Sequence, residues 1–200
     1  MGLSVPEEHF YTSALATAEF LRAQAPNCSA FVIGEAGLLN ALYDAGITMN
    51  DVNPDYVVIG EGRAYSLDTL TKAVNLVMKG ARLIGANSDV SGPIDQGIAP
   101  ACRALTAPVE IATGKQAYFC GKPNPLMMRN GLNLLNCHSA EAVMIGDRMD
   151  TDIISGMESG MATVLVLSGV STRETVKSYA YQPTVILEGV GDIPILAAHE

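Results

Sequence analysis

Two textures of apolar residues alternate along the chain. One is the short continuous run, found at residues 30–34 (AFVIG), 55–60 (DYVVIG), 81–86 (ARLIGA), 117–120 (AYFC), 142–145 (AVMI), 162–167 (ATVLVL) and 184–187 (TVIL). Runs of this length that are apolar throughout predict strands buried on both faces. The other texture is the helical stripe. Residues 13–25 carry Leu15, Ala18, Phe20 and Leu21 and close at Pro26; residues 35–45 carry Leu38, Leu39 and Leu42 with Gly46 at the end. Residues 66–79 begin at Ser66, a capping residue, and carry Leu67, Leu70, Val74 and Val77. Further helices are expected over 100–107, 125–136, 151–159 and 172–180. Strand and helix in turn predict an α/β fold with parallel sheets. The alternation breaks once, at residues 87–100, where Gly92, Pro93 and Gly97 replace apolar residues and predict a loop of functional length. A boundary near Lys115 then gives two α/β units.

Composition mainly removes alternatives. With 48% hydrophobic and 16% charged residues in 200, the chain can bury a core and is not of the disordered class. Its net charge of −9, with no run of Lys or Arg, repels a phosphate backbone and excludes a general nucleic-acid partner. No apolar run reaches the roughly 18 residues of a membrane span, and residues 1–10 lack the apolar centre of a signal peptide. Cys28, Cys102, Cys120 and Cys137 form no C-x-x-C pair, and His9, His138 and His199 are scattered. That spacing argues against structural zinc and for reduced thiols in a cytoplasmic protein.

Two turns stand where chemistry is expected. Gly146-Asp147-Arg148-Met149-Asp150-Thr151-Asp152 follows a buried strand and opens a helix. Ligands of parallel sheets sit at the carboxyl ends of strands, so Asp147 stands where a cation or substrate is held. Asp152, about one turn into the helix, can face the same point, and carboxylates with room for water suit Mg²⁺. Asp150 and Asp152 are also where acidic side chains complement a helix dipole. Gly121-Lys122-Pro123-Asn124-Pro125 is the second turn. A Lys at a strand end can hold a phosphate as a point charge beside a helix N-terminus; the plainer alternative is a solvated Lys in a turn. No G-x-G-x-x-G or P-loop follows a strand, which sets aside a nucleotide-binding fold of those types.

Together with YTSALAT (11–17), DVNPDYVVIGE (51–61), the Asn87-Ser88-Asp89 segment and VLVLSGV (164–170), the two turns carry a resemblance over essentially the whole chain. The sequence resembles the NagD-like, p-nitrophenylphosphatase-like branch of the haloacid dehalogenase superfamily. The resemblance implies an inserted α/β cap over residues 13–114 and the C-terminal half of a Rossmann-like core over 115–200, with 1–12 a remnant of core or linker. It implies that Lys122 steadies the phosphoryl group and the nucleophile, that Asp147 is a metal ligand with Asp152 supporting it, and that Asn87 and Asp89 help select substrate. It further implies Mg²⁺ as cofactor and a small phosphorylated metabolite, such as a nucleotide monophosphate or sugar phosphate, as substrate.

One part of the family pattern is missing. The family opens with an apolar strand ending in Asp-x-Asp-Gly, whose first Asp attacks phosphorus to give an aspartyl-phosphate. Here the only Asp-x-Asp is Asp150-Thr151-Asp152, inside the other motif. The expectation is therefore a chain truncated at its N-terminus, with Met1 an interior methionine, and inactive by itself. The alternative is a non-catalytic binding or oligomerising module. In the family core the absent strand lies beside residues 142–145, which are then expected to form an exposed apolar edge open to self-association.

Overall fold

The chain is described over residues 4–193 by a computed structural model. Helices and strands follow in the order α1 (Ser13–Gln24), β1 (Ser29–Ile33), α2 (Ala36–Asp44), β2 (Thr48–Met49), β3 (Tyr56–Ile59), α3 (Leu67–Met78), β4 (Arg82–Gly85), β5 (Ser91–Ile94), β6 (Gly97–Pro100), α4 (Cys102–Thr113), β7 (Tyr118–Phe119), α5 (Pro125–Leu135), β8 (Val143–Gly146), α6 (Ile154–Glu158), β9 (Ala162–Val166), α7 (Arg173–Lys177) and β10 (Val185–Leu187). They fall into two compact units, Met1–Met127 and Met128–Glu200. The division lies inside α5, later than a boundary near Lys115. The reason is β7, which hydrogen-bonds to β4 and so belongs to the first sheet.

In the first unit a five-stranded parallel sheet runs β2-β1-β3-β4-β7. Its central strand explains its sequence: Tyr56, Val57, Val58 and Ile59 are all buried, because neighbours cover both faces. One face packs against α1 and α2 through Ala18, Leu21, Leu38 and Leu42; the other packs against α3 and α4 through Ala73, Leu76, Val77 and Val109. Burial of each large side chain contributes roughly 1.5–3 kcal/mol. The α3 stripe departs from expectation at its first residue. Leu67 is 80% exposed, while Leu70, Val74 and Val77 pack against the sheet together with Ala73 and Leu76. Ser66 and Thr69 form a reciprocal capping box at its start. Asp55 fastens the entry to β3, its Oδ2 accepting from Ser29 N and Ser29 Oγ at 2.8 Å each.

Residues 87–100 hold more structure than their composition predicts. β5 and β6 form an antiparallel hairpin joined through Asp95-Gln96, with Ile94 opposite Gly97. Its two prolines are tolerated because a two-stranded ribbon is all edge. α4 runs to Thr113, past Pro108, held down by the fully buried Val109.

The second unit carries a three-stranded parallel sheet, β10-β9-β8. Met149, Ile153, Leu165 and Val176 form its core. Among the described residues β8 pairs only with β9, and Val143 and Ile145 are 54% and 42% exposed. The apolar edge expected there is present. Met149–Ile153 winds as a π-helical turn before α6. Cys28, Cys102 and Cys120 are buried and Cys137 is half-buried, all four as free thiols. No helix among the described residues is long and apolar enough to cross a membrane.

The Asp55 clasp makes stability depend on acid. The backbone hydrogen bond from Ser29, and then that from its hydroxyl, hold the Asp55 carboxyl below its ordinary 3.8. Its contribution is therefore complete above that ordinary value and is lost as pH falls through the lowered one. Asp55→Ala should cost about 1 kcal/mol at pH 7, near the low end for bonds to a charged group because the site is exposed. Urea unfolding at pH 7 and again near pH 2.5 should show the difference from the unsubstituted chain shrinking in acid.

Candidate functional site

Every strand of a parallel sheet ends at the same edge, and in the first unit that edge collects polar groups. β3 runs on through Gly60 to Glu61, whose Oε1 accepts from Asn87 Nδ2 at 2.9 Å. Asn87 Oδ1 in turn accepts from Asp89 N at 3.1 Å. Both ends of the Asn87 amide are thus engaged, and residues 87–89 are set in a fixed turn. Ser88 Oγ donates to the Lys122 carbonyl at 2.9 Å, and Gly121 N donates to Ala86 O at 2.8 Å. The Asn87–Asp89 segment and the Lys122 turn therefore adjoin as one edge. Gly121 permits this, since a Cβ there would lie 2.7 Å from Ala86 O. Asn124 completes the turn: Nδ2 donates to Phe119 O at 2.7 Å, and Oδ1 accepts from Leu126 N at 2.9 Å to cap α5. Lys122 itself is half-buried.

The second unit is built on the same plan. β8 ends at Gly146, and Asp147 follows. Asp152, 3% exposed, turns back so that its Oδ2 accepts from Asp147 N and Arg148 N at 3.1 Å each. A carboxylate satisfied by main-chain amides can be buried without cost in unpaired charge. Gly146 makes room for it, because a Cβ there would meet Asp152 atoms at 2.3 Å. Asp150 faces the other way and pairs bidentately with Arg148 at 3.1 and 2.8 Å. Asp147 Oδ2 accepts from Val170 N at 2.8 Å, and Oδ1 takes no hydrogen bond among the described residues.

The expected residues thus fall into two groups, Asn87, Asp89 and Lys122 in the first unit and Asp147 and Asp152 in the second. Glu61 escaped the sequence reading. Its signal was present, since Ile59-Gly60-Glu61 has the same form as Ile145-Gly146-Asp147: a buried strand, then glycine, then a carboxylate. As for Mg²⁺, an exclusively oxygen donor is of the right kind, and a hydrated Mg²⁺ needs only one or two carboxylates. The described residues supply a fraction of such a shell, since no three His, Cys, Asp or Glu among them gather into a metal-holding group. The buried cysteines offer no substitute nucleophile. Burial pushes the Cys120 thiol up to about 12, and it raises Cys102 as well. A cavity of about 580 Å³ lies by Phe20, Arg82, Lys115 and Tyr118, near the starts of β3, β4 and β7; no candidate residue lines it.

Residues 119–193 match the family model described as HAD-hydrolase-like. Over 192 residues the chain is 48% identical to the dihydroxyacetone phosphatase of Corynebacterium glutamicum, covering 96% of this chain and 70% of that protein. It is 44% identical over 195 residues to the ribonucleotide monophosphatase NagD of Escherichia coli K12, covering 98% and 76%. The solved structure of NagD superposes with a TM-score of 0.87 over 96% of this chain and 76% of that one. That of a 4-nitrophenylphosphatase from Thermotoga maritima, 30% identical, gives 0.90 over 96% and 74%.

The arrangement around Asp152 predicts a local collapse on its removal. Asp152→Ala leaves two half-buried amides without their carboxylate acceptor and should destabilise the second unit by about 1–2 kcal/mol. Asp152→Asn, which keeps an acceptor oxygen, should recover about half of that loss. Chemical denaturation of the two variants beside the parent chain gives the comparison.

Proposed function

The chain belongs to the NagD-like branch of the haloacid dehalogenase superfamily, a family of phosphatases, and on that premise we propose that each of its two strand-end turns serves a Mg²⁺-dependent phosphomonoesterase, the Lys122 turn toward phosphate and the Asp147 turn toward the cation. The observation that carries the reading is Asp147, set at the end of β8 with one carboxylate oxygen bound to the main chain and the other taking no hydrogen bond among the described residues. That is the disposition of a group that presents a single oxygen to a hard cation. When bound, Mg²⁺ supplies charge neutralisation on phosphoryl oxygens. Lys122 holds the phosphoryl group as a point charge and orients the attacking carboxylate, and Asp152 keeps the Asp147 loop in shape. Asn87 and Asp89 contribute to substrate selection through the fixed turn they form, with Glu61 holding the Asn87 amide in place.

The relatives bear the names of a dihydroxyacetone phosphatase, ribonucleotide monophosphatases and acid sugar phosphatases. The substrate class is accordingly a small phosphorylated metabolite, processed through an aspartyl-phosphate. The four free cysteines accord with a cytoplasmic setting. Among the described residues none is placed as the nucleophile for that step. The only Asp-x-Asp follows β8 as part of the Asp147 motif; its Asp150 pairs with Arg148 and Asp152 Oδ2 accepts from two amides, which favours a supporting role for it. By themselves these residues bind and do not turn over.

The purified chain should release no 4-nitrophenol from 4-nitrophenyl phosphate with Mg²⁺ above the protein-free blank. Turnover that disappears in Asp147→Ala would refute the missing nucleophile.

A second reading, a self-associating module, is favoured by the apolar edge of β8. Val143 and Ile145 present exposed apolar side chains beside a row of main-chain groups that pair with nothing on that side among the described residues. Sedimentation velocity should show association growing with protein concentration, and Ile145→Lys should abolish it. A chain monomeric at all concentrations sinks this second reading.

A further inference from the structure

We propose that the turn after β9, residues 168–171, is a clamp that positions Asp147, and that Gly169 is the residue on which the clamp depends. Val170 N donates to Asp147 Oδ2 at 2.8 Å. Ser171 N donates to the Asp147 carbonyl at 2.9 Å, and the Ser171 hydroxyl, on a side chain 3% exposed, accepts from Met149 N at 3.2 Å. Three hydrogen bonds from one short turn therefore fix the Asp147 main chain, one of its carboxylate oxygens and the start of the π-helical turn.

The steric part is stricter. A Cβ at position 169 would stand 2.0 Å from Asp147 Oδ2, 2.4 Å from its Cβ and 2.5 Å from its Cγ. Each contact is far inside van der Waals separation. Gly169 is not among the glycines with left-handed φ. The position thus demands glycine for space, not for a backbone dihedral, and the space it leaves is filled by the Asp147 carboxylate.

The chemical consequence is an asymmetric carboxylate. Oδ2 is held by an N–H and walled by Gly169, while Oδ1 takes no hydrogen bond among the described residues. Asp147 can then bind a cation through one oxygen in a fixed direction and not through two. One-oxygen coordination suits the small octahedral shell of Mg²⁺ or Mn²⁺, whereas a two-oxygen carboxylate suits the larger shell of Ca²⁺. Gly169 is a positioning residue: it touches no substrate and acts through Asp147. The inference rests on the reading of Asp147 as a cation ligand.

The test uses the ¹⁵N-labelled full chain with two readouts, amide exchange at Val170 and Mn²⁺ binding followed by electron paramagnetic resonance, with Mg²⁺ and Ca²⁺ as competitors. Gly169→Ala should speed Val170 exchange at least tenfold and weaken Mn²⁺ binding at least tenfold. Gly191→Ala, in the same unit with nothing within 4 Å of its added Cβ, should change neither. Mg²⁺ should displace Mn²⁺ at lower concentration than Ca²⁺. Unchanged exchange and affinity in a folded Gly169→Ala overturns the proposal. Should that variant not fold, Ser171→Ala removes only the hydroxyl that Met149 N reaches; a few-fold faster exchange at Val170 is then expected, and no change overturns the clamp. A parent chain that protects Val170 yet binds no Mn²⁺ overturns the cation role of Asp147 and the purpose assigned to the clamp. The exchange data then show separately whether the geometry was right.

Discussion

Parallel pairing governs this molecule. Two parallel strands cannot be joined by a tight turn, so the chain must leave each strand, cross over the sheet and return to the same starting edge. All strands of a sheet then finish side by side. In the first unit this gathers the ends of β3, β4 and β7; in the second it sets the ends of β8 and β9 next to each other. Polar residues placed directly after buried strands are brought into contact by that rule alone, although they lie far apart in sequence. Glu61 reaches Asn87 across 26 residues, Ser88 reaches Lys122 across 34, and Val170 reaches Asp147 across 23.

Much of this was readable from the pattern of residues. Strands that are apolar throughout announced themselves, and so did the residues that end them. What escaped shows where local pattern stops carrying information. β2 is two residues long and exposed, too little to leave a trace. The β5–β6 hairpin is written in Gly, Pro and Ser, residues of low strand propensity, and forms because α4 lies against it. Pro108 reads as a helix stop, yet costs a single main-chain bond while the burial of Val109 continues. Periodicity places Leu67 on the buried face of α3 with Leu70, Val74 and Val77, but at the helix start the sheet no longer covers it, and Leu67 alone of the four stays exposed.

The candidate site was legible in part for the same reason. Lys122 and Asp147 stand directly after strands and could be named from position. The role of Asp152 needed coordinates, because a carboxylate one turn into a helix can face a ligand, a dipole or its own loop. The hydrogen bonds from Asp147 N and Arg148 N to its Oδ2 tie it to its own loop. Glu61 was missed for lack of a partner in sight: nothing in DYVVIGE says that Asn87 will lie beside it. The two units thus obey one local grammar, in which glycine lets the chain fold close and a carboxylate or cation follows.

The β5–β6 hairpin stands apart from this economy. It is a ribbon of two four-residue strands outside both main sheets, and Ile94 and Ile98 near its tip are 55% and 74% exposed. Such a ribbon has little free energy of its own, and its closure is a local event separable from global unfolding. Its amides should report opening on a faster clock than those of β3. The turn at Asp95-Gln96 is where a protease would first find an extended backbone, so limited digestion would nick the first unit there while leaving its sheet folded.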